Sequence, residues 1–325
     1  MDRTAFLDQL HAQFAVPRPA VMELIQRVCG QKVAGIERLI HGDENEVYRA
    51  DLAEGGTVFV RIGRPDTPAL SLYREAWAME HARRAGVPVP DVLTVEPIAS
   101  NEGDRHAMVV AAAGGRQLTG LLPSMPTGRR AGTMRDLGRV LARLHTVSMP
   151  GRGMPDGTGD WPDQATDQRR YITNVIAACD HLGEAGLTDT EIQDARGLLH
   201  RALGEPVRRP APVLCHGDLS PDHIFVDQEF RVHGLIDWGM WSAGAAEDDL
   251  AEVAMRHPRA DFDAVLEGHS GDEARDPALR QTISRALMMR AIGYLRWLLT
   301  SGQTGHLESG VVPLRRALTD LTRGH

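Results

Sequence analysis

Two short apolar runs in residues 214–239, LCHGDLSPDHIFVDQEFRVHGLIDWG, each end in a carboxylate. His216 and Gly217 follow the first run and lead directly to Asp218, whereas the second run ends at Asp237 between apolar neighbours. Because glycine lets the backbone turn tightly, we expect the carboxylate of Asp218 to be exposed at the end of a strand. Two carboxylates that converge at strand ends suit Mg²⁺, a hard cation that takes carboxylate and phosphate oxygens as ligands. The spacing alone leaves equally open that each acid only caps a turn.

The periodicity of apolar residues predicts a β-rich first part of the chain and a mostly helical second part. The first part shows helix patterns at 3–14, 19–30 and 70–85, and strand patterns at 34–40, 46–52, 57–62, 92–97 and 106–111. After Gly114 and Gly115, helix patterns follow at 133–147, 168–182, 190–203 and 278–300. The run that carries the two acids is the strand exception in this second part. The patterns therefore predict a small β-rich lobe, a short connection near 111–115 and a larger helical lobe.

Composition and charge restrict the class of protein. A chain of 325 residues suits about two domains, and its formal net charge of −8 argues against nucleic acid as a partner, because neutralising phosphates requires a basic face. Three scattered cysteines without a CxxC pair fit a reducing compartment better than a disulfide framework. The first residues do not resemble a targeting peptide, and no run reaches the ~18 apolar residues that cross a bilayer. We therefore expect a cytoplasmic protein with no membrane partner.

The motifs HGDLSPDH (216–223) and LIDW (235–238) resemble those of the aminoglycoside phosphotransferase family, whose fold is similar to that of protein kinases. The resemblance extends to the run from Gly42 to Arg49, to LARLH at 141–145 and to Asp-Leu-Ala at 249–251. It implies an α+β, bilobal, protein-kinase-like fold. Residues 1–112 would form the small β-rich nucleotide-binding lobe with its N-terminal helices, and residues 113–325 the larger, mostly helical lobe for catalysis and acceptor binding.

The same resemblance implies roles in phosphoryl transfer, where catalysis is mostly positioning and charge stabilisation. Asp218 would orient the hydroxyl of the acceptor and accept its proton, while His223 and Asp237 would hold Mg²⁺ between the β- and γ-phosphates. Arg61, held by Glu75, would contact the α- and β-phosphates. The remaining nucleotide-binding residues would be those of the covering hairpin, Gly42 and Asn45, and those of the purine-binding connection, Ala111 and Ala113.

Two positions depart from the usual pattern of the family. Arg61 stands where a phosphate-binding lysine is usual, and His223 stands where an asparagine is usual. Both changes occur together in the branch that resembles macrolide phosphotransferases. Arginine can pair with a carboxylate and a phosphate through its planar fork, so the first change is chemically reasonable. Simpler interpretations stay open: Arg61 as a surface side chain, Glu75 as a solvated charge, and His223 as a hydrogen-bond partner of the acids.

We expect an O-phosphotransferase that uses ATP or GTP with Mg²⁺ to modify a hydroxyl of a macrolide, aminoglycoside or nucleoside-type antibiotic, for resistance or self-protection. A kinase of an ordinary metabolite, such as choline, homoserine or a sugar, is the alternative, because the same motifs serve both. A catalytically silent nucleotide-binding module is a third hypothesis, raised by the missing lysine and asparagine. Residues 243–277 contain ten acidic and three basic residues, which favours a cationic acceptor or simply a solvated surface. We expect a monomer or a dimer.

Overall fold

The computed structural model describes residues 16–40, 45–100, 103–204 and 211–322, with residues 103, 104 and 164–168 described in their backbone only. These residues group into two compact units. The first unit contains the described residues up to Arg84, together with Pro88–Gly115 and His233–Gly239; the second contains Ala85–Val87, Arg116–Val232 and the described residues from Met240 onward. The predicted helix at 3–14 lies outside the described residues. The predicted lobe boundaries, 1–112 and 113–325, stay predictions.

A five-stranded antiparallel sheet forms the centre of the first unit, in the order β1-β2-β3-β5-β4. The strands are β1 (Val33–Leu39), β2 (Asn45–Leu52), β3 (Thr57–Gly63), β4 (Val92–Ser100) and β5 (Gly103–Ala111). Two helices accompany the sheet, α1 (Arg18–Cys29) and α2 (Ala69–Arg84). Apolar periodicity predicted each of these elements to within about three residues at either end.

Alternation along β2 and β3 places one face of the sheet against helix α1. The hydrophobic core between them contains buried side chains from α1, β2 and β3: Val21, Leu24, Ile25, Tyr48, Ala50, Val58, Val60 and Ile62. Burial of each Val, Leu or Ile stabilises the unit by about 1.5–3 kcal/mol relative to leaving that side chain in water. Because successive residues of a strand point to opposite faces, Arg61 projects from the face of β3 that does not pack on α1.

Glu46 on β2 is a fully buried carboxylate that periodicity did not single out. Arg105 on β5 forms an ion pair with it at 3.0 Å and also donates to the carbonyl oxygen of Gly63 at 2.7 Å. The hydroxyl of Tyr48 and the backbone N–H of Val16 donate to the same carboxylate at 2.6 and 3.1 Å. Because a buried charge is tolerated only when it is paired, these contacts hold β2, β5 and the segment before α1 together.

Helices make up most of the second unit: α3 (Thr127–Leu144), α4 (Gln164–Ala178), α5 (Asp189–Gly204), α6 (Ala246–Arg256), α7 (Arg259–Ser270), α8 (Pro277–Thr300) and α9 (Glu308–Thr322). Short strands accompany them. Strand β6 (Arg116–Gln117) pairs with β8 (Ile224–Val226), and β7 (Val213–Cys215) pairs with β10 (Ser242–Gly244), both antiparallel; β9 (Val232–Leu235) follows β8 along the chain. Within the described ranges, no helix has both the length and the apolarity needed to cross a membrane.

Three helices of the second unit, α6, α7 and α9, were not predicted. Both α6 and α7 bury acidic residues, Asp249 and Glu252 in the first and Asp261 in the second, so charged side chains interrupt their apolar periodicity. Helix α3 begins at Thr127, six residues before the predicted start, because residues 127–132 carry no large apolar side chain at helical spacing. The errors at α6, α7 and the start of α3 occur where polar residues occupy helix positions, whereas α9 contains an internal proline, Pro313, which does not favour a helix.

Helices α3 and α7 cross at two glycines. A Cβ atom at Gly138 of α3 would overlap the carbonyl oxygen of Val265, and one at Gly268 of α7 would overlap the carbonyl oxygen of Arg135. Only glycine allows the two backbones to approach this closely. By contrast, a Cβ atom at Gly132 in the same helix would meet nothing within 4 Å.

Candidate active site

The chain turns sharply after β7 to present Asp218. Gly217 has a φ of 83°, and a Cβ atom there would overlap the carbonyl oxygen of Met240, so both the backbone angle and the space require glycine. His216 is fully buried, and its Nδ1 accepts a hydrogen bond from the backbone N–H of Asp218 at 3.2 Å. The turn at a strand end is as predicted, but the expected exposure of the Asp218 carboxylate was wrong, because its side chain is only 27% exposed. His216 braces the loop through its hydrogen bond to the Asp218 backbone.

Asp249, near the start of α6, fixes the same turn through hydrogen bonds to its backbone. Its carboxylate is fully buried and accepts the backbone N–H groups of His216 and Gly217, both at 2.9 Å. His145, at the end of α3, donates from Nε2 to the same carboxylate at 3.0 Å. Burial favours the neutral acid, but these hydrogen bonds and the neighbouring His145 outweigh it and lower the pKa of Asp249. The LARLH and Asp-Leu-Ala motifs therefore meet in the fold to fix the loop.

A second buried carboxylate, Glu252, connects the loop to α8 and was missed by the sequence predictions. It forms ion pairs with Arg290 of α8 and, at 2.7 Å, with Arg256 of α6. Arg290 also donates to the carbonyl oxygen of Gly217. The spacing of Asp249, Glu252 and Arg256, three and then four residues apart, is the signal that could have placed them on one helix face.

The carboxylate of Asp218 lies between a histidine and an arginine. His223 Nδ1 is 3.0 Å from the carbonyl oxygen of Asp218 and 3.5 Å from Oδ2 of the same residue. The guanidinium of Arg256 is 3.9 Å from Asp218 Oδ1 and lies over the ring of Tyr294. Burial raises the pKa of Asp218 above its ordinary value; His223 and Arg256 act in the opposite direction, and Glu252 adds to the increase. The carboxylate is therefore partly desolvated but keeps Arg256 as a cationic neighbour.

Arg61 in the first unit contacts two carboxylates that are distant in sequence. Its guanidinium forms an ion pair with Glu75 of α2 and lies 3.3 Å from Asp237 Oδ1. The side chain of Arg61 is 17% exposed and that of Glu75 is 5% exposed, so neither is a solvated surface charge. Burial raises the pKa of Glu75, an effect that outweighs the opposing influence of Arg61. The predicted Arg61–Glu75 contact is present, whereas the contact with phosphates stays a prediction.

Asp237 has a left-handed backbone, with φ of 62°, and its side chain is 45% exposed. A non-glycine residue in this region is uncommon and costs on the order of 1 kcal/mol or more, so the surrounding structure must hold it. The following Trp238 is fully buried and donates from its indole N–H to the carbonyl oxygen of Leu235 at 3.1 Å. The buried indole therefore anchors the turn and leaves the carboxylate accessible.

His223 and Asp237 each carry a donor atom that suits a divalent cation. A carbonyl oxygen only accepts hydrogen bonds, so His223 Nδ1 carries the proton toward Asp218 and Nε2 carries the lone pair. Asp237 contributes a half-exposed carboxylate. Mg²⁺ prefers oxygen ligands, and the nitrogen favours Mn²⁺, Co²⁺ or Zn²⁺ more strongly.

Three of the remaining predicted nucleotide-binding residues, Asn45, Ala111 and Ala113, are described by the structure, and all three lie in the first unit. Asn45 begins β2 and pairs with Gly63. Ala111 ends β5, and its backbone N–H donates to the carbonyl oxygen of Asp91. The backbone N–H of Ala112 donates to the carbonyl oxygen of Thr57. Ala113 follows directly. Gly42 lies outside the described residues.

Comparison with known proteins decides the family. The profile described as the phosphotransferase enzyme family (APH) matches residues 35–281, well over half of the chain. The chain belongs to this family. The phosphotransferase is therefore a small-molecule kinase, as the resemblance of its motifs predicted, and family membership does not favour a silent nucleotide-binding module.

Individual relatives of the chain include aminoglycoside and macrolide phosphotransferases. An aminoglycoside 3'-phosphotransferase of Streptomyces ribosidificus is 27% identical over 214 residues, which cover 64% of this chain and 74% of the relative. The solved structure of aminoglycoside phosphotransferase APH(4)-Ia has a TM-score of 0.68 at 17% identity and covers 94% of this chain and 99% of that chain. Macrolide 2'-phosphotransferase MphH from Brachybacterium faecium has a TM-score of 0.57 at 20% identity, with 91% and 97% covered. These structures confirm the predicted protein-kinase-like α+β fold.

Proposed function

We propose that the protein transfers the γ-phosphoryl group of a nucleoside triphosphate to a hydroxyl of a small-molecule antibiotic, as resistance or self-protection. The observation that carries the proposal is the Asp218 loop, held by Asp249 and Arg290 in an arrangement suited to presenting a carboxylate to an acceptor. Similarity to aminoglycoside and macrolide phosphotransferases supports an antibiotic over an ordinary metabolite. A cytoplasmic location and a monomeric or dimeric state are part of the same proposal.

Asp218 would act on the acceptor. As the hydroxyl oxygen bonds to the γ-phosphorus, the bond from that phosphorus to the β–γ bridging oxygen breaks, and the nucleoside diphosphate leaves with the bond electrons. The proton of the hydroxyl passes to Asp218, whose pKa is raised by burial and therefore lies closer to that of an effective proton acceptor. Arg256, beside Oδ1, favours the ionised carboxylate and so opposes the effect of burial on this pKa.

Arg61 would hold the phosphates of the donor. Its planar fork can keep the ion pair with Glu75 while other N–H groups meet phosphate oxygens. Its distance of 3.3 Å to Asp237 couples the phosphate-binding cation to the proposed metal-binding carboxylate. When bound, Mg²⁺ would neutralise charge on the phosphate oxygens, with Asp237 and His223 Nε2 as its protein ligands.

The donor is ATP or GTP in this proposal, with its purine at the connection after β5. Because Ala111 and Ala112 already donate their N–H groups to Asp91 and Thr57, we assign the backbone N–H of Ala113 as the donor to the purine. Small side chains there do not distinguish adenine from guanine. Solved relatives support either choice, since they contain ADP or AMP-PNP in one case and GDP in another.

The charge of residues 243–277 gives weaker support for a cationic acceptor than the sequence suggested. Seven of the ten acidic side chains in this segment already bind cationic groups or backbone N–H groups of the same unit: Asp248, Asp249, Glu252, Asp261, Asp263, Glu267 and Asp276. Four of these, Glu252, Asp261, Asp263 and Glu267, are paired with arginines and therefore contribute little external field. The acceptor proposal therefore rests on the relatives, and a cationic acceptor stays a prediction.

A transfer screen tests the proposed function. Purified protein is incubated with ATP or GTP and Mg²⁺ against panels of macrolides, aminoglycosides, nucleoside antibiotics, and choline, homoserine and sugars, with Asp218→Asn as the inactive control. We expect phosphorylation of at least one antibiotic with kcat/KM well above that of every metabolite. Preferential phosphorylation of a metabolite would establish the alternative, and no transfer to any acceptor would contradict both.

A further inference from the structure

A cavity of about 320 Å³ lies in the second unit among α6, α7, α8 and α9. Its lining combines four arginines, one carboxylate and an apolar wall: Arg259, Arg275, Arg280, Arg316, Asp320, Phe262 and Leu287. Ala254 of α6 also lines it, two residues from Arg256, which lies beside Asp218, and two from Glu252, which holds Arg256. Because residues two apart on a helix point about 200° from one another, the cavity lies on the other side of α6 from Asp218.

Two of the four arginines are neutralised by carboxylates. Arg259 contacts both oxygens of Asp320, at 2.9 and 3.1 Å. Arg280 is 2.8 Å from Asp263 and also donates to the carbonyl oxygen of Ala274 at 2.8 Å. These contacts leave the first pair of guanidiniums with little excess charge.

The other two arginines form no direct ion pair with any carboxylate in the described part of the chain. Arg316 donates to the carbonyl oxygens of Ala254 and His257, and Arg275 is exposed at the rim. Burial lowers the pKa of Arg316, and repulsion from Arg259 lowers it further, more than the carboxylates of Asp320 and Asp263 raise it. Arg316 therefore lies in surroundings that favour an additional anion.

We propose that this cavity binds a small phosphate monoester, at a site separate from the nucleotide phosphates. Arg275 presents its guanidinium fork, and Arg316 keeps further N–H groups beyond the two that bind carbonyl oxygens; such donors match tetrahedral phosphate oxygens. Ser284, whose side chain is largely buried, adds a hydroxyl to the lining, and Phe262 and Leu287 form an apolar wall for the organic part of the ester. The volume is that of a small-ligand site. A net cationic cavity in a chain of net charge −8 is not a consequence of overall composition.

Isothermal titration calorimetry of the full chain with glycerol 1-phosphate and with inorganic phosphate, without nucleotide, tests this site. We expect binding in the wild type that weakens about tenfold in Arg275→Gln and in Arg316→Gln, because each removes a charge-assisted contact. Arg135→Gln, which removes a surface cation paired with Glu267 in the same unit, is the matched control and should bind like the wild type. Arg61→Gln should also bind like the wild type.

The outcomes separate this site from the nucleotide site. Binding that disappears in Arg61→Gln and persists in Arg275→Gln would assign the phosphate to the nucleotide site and overturn the proposal, as would no binding in the wild type. Circular dichroism checks the fold of each variant. Arg316→Gln could unfold because Arg316 loses its bonds to two carbonyl oxygens. In that case the affinity of Arg275→Gln tests the proposal, since the exposed side chain of Arg275 has no structural partner to lose among the described residues.

Discussion

The guanidinium of Arg290 donates to the carbonyl oxygen of Gly217, the residue immediately before Asp218. The same guanidinium forms an ion pair with Glu252, whose side chain is 1% exposed. Since Glu252 also holds Arg256 beside Asp218, one buried carboxylate positions the carboxylate that we propose for catalysis from both sides.

Replacing Glu252 by glutamine keeps the shape of the side chain but leaves two guanidiniums without their shared partner. We expect unfolding free energy to fall by about 3–5 kcal/mol, the usual cost of breaking a buried ion pair, and kcat to fall by at least about tenfold, with nucleotide KM little changed. Denaturant unfolding and steady-state kinetics measure the two effects. Glu267→Gln breaks a half-exposed pair with Arg135 and should cost only about 0–1 kcal/mol. Equal losses in both variants would show that the position of Glu252 has no special importance.

Asp218→Asn removes the proposed proton acceptor while keeping its size. We expect kcat to fall by about 10²–10⁴-fold, with nucleotide affinity within about tenfold of the wild type. Single-turnover kinetics and nucleotide titration make the comparison. Asp222→Asn, four residues along and exposed, is the control and should keep its turnover. Retention of most activity in Asp218→Asn would end the catalytic assignment.

Arg61→Ala should raise the nucleotide KM and lower kcat, because a cation for the phosphates is lost and Glu75 remains buried without its partner. Arg61→Lys should keep part of the activity, since one cation remains but the planar fork does not. Arg49→Ala, which removes an exposed arginine of neighbouring β2 paired with Asp51, should behave like the wild type. If the nucleotide kinetics of Arg61→Ala are unchanged, Arg61 serves the fold alone.

His223→Asn exchanges a nitrogen ligand for the carbonyl oxygen usual in the family. We expect the variant to stay active with Mg²⁺ and to gain less from Mn²⁺ than the wild type, because nitrogen ligands favour the softer ions. Activity titrated against Mg²⁺ and Mn²⁺ in both proteins gives the two preferences. Identical preferences, or a variant that is inactive with every metal, would remove His223 from the metal-binding set.

Gly138→Ala should destabilise the second unit, because its Cβ atom would push α3 away from the backbone of α7. The expected loss of unfolding free energy is about 1–3 kcal/mol, typical of overpacking. Gly132→Ala in the same helix meets no neighbour within 4 Å and should be neutral or stabilising by up to about 1 kcal/mol, through helix propensity. Denaturant midpoints measure both, and a harmless Gly138→Ala would contradict the close crossing.

Most helices and strands of the first unit could be predicted from residue type and apolar periodicity alone, and the family motifs could be identified directly in the sequence. Strands β2 and β3 alternate buried and less buried residues, a pattern that neighbours along the chain impose because a strand has a period of two. The His-Gly-Asp turn was equally predictable, since only glycine allows the φ of Gly217. The Arg61–Glu75 pair, by contrast, rested on the resemblance to a known family.

Tertiary structure alone decided the buried ionic contacts. Glu46 and Arg105 are far apart in sequence, and so are Glu252 and Arg290. The carbonyl group of Gly217, which Arg290 also binds, is equally distant from Arg290 along the chain. Each of these charges resembles a solvated surface residue in the sequence, and only its partner makes burial tolerable. The same contacts account for the missed helix α6, because the acids that interrupt its apolar pattern are buried by pairing. Local periodicity reports on neighbours along the chain, whereas a buried ion pair depends on which distant side chain packing brings within reach.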